Sequence, residues 1–196
     1  MRRGVSGVAR IAHVVALATI ASCAPRARAP AIAPDVVLVD TAGTAHAIGR
    51  DASPAKLTVI SFFSAHCPCQ TAHDARLRDL HARFGAAGVA FLAVDSEIGA
   101  TDAADEAERI ARRYPFPIAR DPGAALARSL GARYATYTVV LDADGQVRYG
   151  GAIDSDRTHL TPGASFYLED ALVALLAGRS PRVTSSEALG CALQTW

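Results

Sequence analysis

Cys67 and Cys69 flank a single proline in "SAHCPCQ", and Cys191 stands alone in "ALGCALQ" near the C-terminus. Two thiols one residue apart can form a redox pair, clip a soft metal ion, or simply pack as small apolar groups. The surroundings select among these. "LTVISFF" (57–63) reads as a strand buried on both faces, and a helical pattern opens at Pro68. Cys67 therefore falls at a helix start, where unpaired N–H groups and the helix dipole favour a thiolate. Residues two apart at such a start have Cα atoms roughly 5.5 Å apart, within reach of a disulfide. A ring that small is strained, and strained disulfides are the reactive kind. The end of a central strand opens at the edge of a sheet, so Cys67 is also expected to be accessible.

A metal reading rests on Cys67, Cys69 and His73, the last two being four apart on one helix, with His66 adjoining. Thiolate plus imidazole suits copper or zinc. His73 shares a face with Leu77, Leu80 and Phe84, however, which makes a buried core histidine the better expectation and leaves no metal in the primary reading. His46 and His81 sit in no constellation, and "DSDRTH" (154–159) reads as a solvated loop. "DADG" (142–145) reads as a hairpin turn, because the other ligands of a calcium loop are missing. There is no glycine-rich phosphate loop, no Ser/His/Asp arrangement and no basic aromatic patch. No organic cofactor and no nucleic-acid partner is expected.

The elements that position the thiols follow from periodicity. Strands are expected at 36–39, 57–63 and 89–94, and a hairpin spans 137–151. Helices are expected at 68–84, 102–114 and about 165–176, and another runs from a cap at Asp121–Pro122 to Gly131. Strands alternating with helices before a closing hairpin and helix imply an α/β sandwich on a mixed sheet. At 196 residues the chain suits one domain, expected at 35–180 with a tail at 181–196.

The first 22 residues read as a signal peptide, with Arg2, Arg3 and Arg10 before the short apolar run "IAHVVALATIA". "TIASC" resembles a bacterial lipobox, making Cys23 the expected lipidation site. Residues 23–34 form a Pro/Ala-rich tether. Ala24 rather than aspartate follows the cysteine, which favours the outer membrane, with acyl chains as the anchor and the domain facing the periplasm. The formal net charge of +1 comes from the leader, because 17 basic residues face 19 acidic ones beyond it. Export permits disulfides, and three thiols leave one over when Cys67 and Cys69 close on each other. Cys191 is the expected resolving thiol, with Leu189, Leu193 and Trp196 able to dock the tail.

Strand–Cys–Pro–Cys–helix, "VAFLAVDSE", "YPFPIARDPGAALARSLGA" and "YTVVLDADGQVRYGGAID" together resemble the thioredoxin-like redoxins. These include the alkyl hydroperoxide reductase/thiol-specific antioxidant group and the TlpA-like reductases, some of which end in a Gly-Cys tail. The resemblance covers about 35–178 and implies a thioredoxin-like fold. It also implies a thiol–disulfide oxidoreductase acting on protein thiols and disulfides, with Cys67 as nucleophile and Cys69 as partner. Departures accompany it. One residue separates the cysteines instead of two, and Thr136 takes the place of the cis-proline that helps dock substrate and shields the thiols from metals. Where peroxiredoxins carry proline and threonine, Ile60 and Ser64 stand, so only a hydroxyl remains for the alternative of a thiol peroxidase acting on small hydroperoxides. The resemblance extends to copper chaperones, the basis of the second alternative, a copper-binding or delivery protein. Tyr134 occupies the place of their distal histidine.

Overall fold

Seven strands form one sheet in which the apolar runs pair with each other and the amphipathic runs cover both faces. The computed structural model describes Met1 and residues 36–49 and 54–195. The expected leader beyond Met1, Cys23, the tether and Trp196 lie outside the described residues.

The elements are β1 (Val36–Asp40), β2 (Ala45–Ile48), β3 (Leu57–Phe63), α1 (Pro68–Phe84), β4 (Val89–Asp95), α2 (Asp102–Ala111), β5 (Ile118–Arg120), α3 (Ala125–Leu130), β6 (Thr138–Asp142), β7 (Val147–Gly151) and α4 (Tyr167–Leu176). Their order in the sheet is β2-β1-β5-β4-β3-β6-β7. The β3–β4 and β4–β5 pairs are parallel, and the rest are antiparallel. This is an α/β thioredoxin-like fold with a mixed central sheet flanked by helices. Among the described residues, no helix is long and apolar enough to cross a membrane.

β3 is paired along its length with β4 and along Leu57–Ser61 with β6, so its side chains alternate between two buried faces. Val59 and Phe63 meet Leu77, Leu80 and Phe84 of α1 and Leu168 and Leu172 of α4. Ile60 and Phe62 meet Leu126 and Leu130 of α3, together with Cys67, Cys69 and Leu193. Both faces covered explains why the strand reads as an unbroken apolar run.

The structure adds two strands to those expected. β2, "AHAI", carries a single β-branched residue, and β5 is three residues caught between Pro117 and Asp121. α2 ends at Ala111 rather than 114, as the chain turns through Arg113 at φ 54°. The helix expected up to Gly131 is broken by left-handed backbone at Gly123 and Ala124, leaving one tight turn and the short α3. Asp121 still caps it, accepting from Leu126 N and Ala127 N at 3.0 and 2.9 Å. α4 begins at Tyr167 rather than about 165.

Beyond Gly178 the tail turns back across the domain. Ser185 bridges Gly150 and Ala192 bridges Tyr134. Ser186 Oγ accepts from Ala152 N at 2.9 Å and meets Tyr149 Oη at 2.7 Å. Gly190 is required by contact: a Cβ there would lie 1.7 Å from Ala135 O.

Candidate active site

The parallel strands β3 and β4 end on the same side, and the site is assembled where they stop. Cys67 is the N-cap of α1 with extended backbone (φ −92°, ψ 113°), and Pro68 follows as the first helical residue. Pro68 lacks an N–H, so none is left unpaired there. Cys67 O accepts from Thr71 N at 3.3 Å, which starts the helix.

The tail brings the third sulfur. Cys191 N donates to Cys67 Sγ at 3.2 Å, while Cys191 O accepts from Ala135 N at 2.8 Å. The sulfurs of Cys67, Cys69 and Cys191 lie within 4.8 Å of one another, and all three are free thiols. The thiol count suggests Cys191 as a partner of Cys67 or Cys69, but no local pattern fixes where the tail docks, since Cys67 and Cys191 are 124 residues apart.

Cys67 is not accessible as expected. It is 1% exposed, because the tail lies over the strand end that would otherwise open to solvent. Leu193 is itself buried. Leu193 N donates to Arg133 O at 2.9 Å, Ile98 N to Gln194 O at 2.7 Å, and Gln194 N to Glu97 Oε1 at 3.1 Å. The other oxygen of Glu97 accepts from Ser64 Oγ at 2.9 Å. Glu97, absent from the sequence-based candidates, thus ties the tail to the strand end just before Cys67.

The three thiols are electrostatically distinct. Burial pushes Cys67 up, but the Cys191 thiol and the backbone N–H groups of Cys191, Gln70 and Cys69 more than offset it, and the net shift is downward. Burial and the neighbouring Cys67 charge push Cys69 up, with Arg157 and Cys191 only partly opposing them. Cys191 is pushed up to about 11, first because its thiol donates to Cys67, then by burial and by charge on the other sulfurs. Of the three thiols, Cys67 is therefore the one whose ionisation is favoured, with Cys69 and Cys191 shifted the other way.

His73 is occupied elsewhere. Its Nδ1 is 2.7 Å from Cys69 O, and Nε2 faces Asp154 Oδ1 at 3.6 Å. Asp154 is buried rather than solvated as expected, because Arg76 Nη1 donates to both its oxygens at 3.0 and 2.8 Å. His46 does have a partner, Asp40 at 2.8 Å, and His81 packs on Phe91 and Phe116. His66 is exposed. Thr136, before β6, adopts φ 69° and donates its N–H to Phe62 O at 2.9 Å. The tri-sulfur group is the arrangement with metal-ligand spacing found among the described residues.

A buried carboxyl pair lies one strand away. Burial raises Asp95 to about 7, against the Glu97 N–H it accepts and with Asp105 adding repulsion. Burial likewise raises Asp105, although a hydrogen bond with Asp95 opposes the shift. The pair joins β4 and α2, and positions ten apart on unlike elements gave no sequence signal.

The sequence profile of the family described as Redoxin matches residues 28–164. An uncharacterized conserved protein from Geobacillus kaustophilus superposes with a TM-score of 0.72 at 24% identity, covering 86% of this chain and 90% of that one. A hypothetical protein from Sinorhizobium meliloti 1021 also gives 0.72, at 21% identity over 87% and 96%. A peroxidoxin from Mycobacterium tuberculosis gives 0.54, at 18% identity over 77% and 96%. At these identities the likenesses show the shared fold. No curated protein matches the chain.

Proposed function

The chain belongs to the redoxin family, and from that premise we propose that it is a thiol–disulfide oxidoreductase with Cys67 as nucleophile and Cys69 and Cys191 as its partners. The observation that carries this reading is the convergence of three free sulfurs within 4.8 Å, with Cys191 N–H donating to Cys67 Sγ.

Exchange begins when the tail lifts and the Cys67 thiolate attacks one sulfur of a substrate disulfide. The S–S bond breaks, the second substrate sulfur leaves as a thiolate and takes a proton, and a mixed disulfide remains. Cys67 has then lost its charge. The hydrogen bond and repulsion that hold Cys191 and Cys69 protonated disappear with it, so either thiol ionises more easily at the step that needs it. Its thiolate attacks Cys67 Sγ, breaks the mixed disulfide and releases the substrate sulfur still bound there as a thiolate, which takes a proton. Two electrons have passed to the substrate, and the protein holds one internal disulfide. A link to Cys191 avoids the small ring of Cys67-Pro68-Cys69.

Opening of the tail is energetically accessible. Leu193 contributes roughly 1.5–3 kcal/mol by burial, and each tail hydrogen bond roughly 1 kcal/mol net. Ordering costs about 1–2 kcal/mol per residue, so the segment can detach without global unfolding.

Ser64 donates to Glu97, which engages the hydroxyl a peroxide reading would use and favours disulfides over hydroperoxides as substrates. The leader and "TIASC" support export, lipidation at Cys23 and a 23–34 tether holding the 35–180 domain on the periplasmic side of the outer membrane. Insulin reduction by the full chain tests the activity. Thiol-dependent precipitation lost in Cys67→Ser is expected. No reduction above background, together with rapid hydroperoxide consumption and a sulfenic acid on Cys67, would sink it.

A further inference from the structure

The reduced sulfurs offer more than an exchange reaction. Sulfur ligands at about 2.3 Å from an ion lie about 4 Å apart when trigonal. The three sulfurs here are already within 4.8 Å, so a contraction of less than an ångström closes the set. Cys67 and Cys69 are held on the first turn of α1, and Cys191 comes in from the tail, so the ligands approach from separate elements. Among the described residues, no histidine or carboxylate joins the group, and His73 is engaged by Cys69 O and Asp154.

We propose that the reduced cluster is a three-coordinate site for a soft monovalent ion, Cu(I), with Cys67, Cys69 and Cys191 as its ligands, and that the bound ion fastens the tail to the domain. Thiolate sulfur selects Cu(I), whereas structural zinc takes four ligands and a catalytic zinc keeps water in the fourth position. Cys67 is 1% and Cys69 7% exposed, which leaves little room for that water. Binding displaces the protons still held on sulfur and changes no oxidation state. With all three sulfurs committed, no thiolate is free for exchange. Metallation and redox turnover are therefore mutually exclusive uses of one site.

The test is titration of the reduced full chain with Cu(I) against a chromophoric Cu(I) chelator, followed by X-ray absorption of the loaded wild-type protein. One ion per chain is expected, with three sulfur neighbours. Cys191→Ser should weaken binding at least tenfold, and loading should slow alkylation and proteolysis of the tail by a similar factor. Two sulfurs plus a nitrogen in the wild type, or unchanged affinity in Cys191→Ser, would overturn the ligand set. Tighter binding of Zn(II) than of Cu(I), measured by the same competition, would overturn the ion class. Binding requires only reduced sulfurs, so it can fail while insulin reduction succeeds, and the reverse.

Discussion

The two faces of the sheet are built from different materials. Against one, Phe63, Phe84, Phe91, Tyr114, Phe116 and Tyr149 pack with α1 and α4. Tyr114 and Phe116 stack at 4.7 Å, and Phe63 meets Tyr114 edge-on at 6.3 Å. Against the other, Phe62 and aliphatic side chains pack with five alanines, Ala119, Ala124, Ala127, Ala132 and Ala135, beside the cysteines. Large rings fill space and hold helices at fixed distances. Small side chains let backbone approach backbone, which is how Gly190 comes to rest on Ala135. One face is filled by rings, and the other lies beneath the tail that covers the three sulfurs.

Cutting into the aromatic face should cost most. Phe63 is fully buried, and Phe63→Ala is expected to lose about 3–5 kcal/mol, read as a lower denaturation midpoint. Equal losses from Leu193→Ala would erase the contrast. Crowding the alanine-rich face should act locally. Gly190→Ala places a Cβ against Ala135 O, so the tail must lift, at about 1–3 kcal/mol of local stability. Cys191 should then alkylate about tenfold faster while the thermal midpoint moves by only a few degrees. A global loss as large as that of Phe63→Ala would mean that the tail is part of the main core.

Asp95 sharpens the comparison by pH. Its folded pKa is raised from 3.8 to about 7, so the folded state binds the extra proton between these values and stability falls as pH rises through that window. Asp95→Asn keeps an oxygen for Glu97 N–H and removes the titration. We expect it to flatten the stability profile between pH 4 and 7 and to add about 1 kcal/mol at pH 8. An unchanged slope in chemical denaturation across that range would assign the pH dependence elsewhere.

Much of the fold was legible because its signals are local. The apolar run 57–63, the face shared by His73, Leu77, Leu80 and Phe84, and the Asp144–Gly145 turn each speak through neighbouring residues. β5 was not legible, since three residues between prolines and an aspartate carry no period, and its pairing with β4 and β1 defines it. The interruption at Gly123 and Ala124 was hidden by a good capping aspartate, which remains a cap across the kink. At the site, Cys67 and Cys69 announce themselves by spacing. The covering of Cys67, the roles of Glu97 and Asp95, and the burial of Asp154 depend on distant segments meeting.

The most direct measurement of the central claim is peptide mapping of the Cys69→Ser chain after treatment with one equivalent of a disulfide substrate, alkylating under non-reducing conditions. A Cys67–Cys191 cross-link with two substrate thiols released is expected, because their sulfurs are in reach and consuming the Cys67 charge relieves part of the upward shift on Cys191. A Cys67 that remains in mixed disulfide while Cys191 stays fully alkylatable would contradict it.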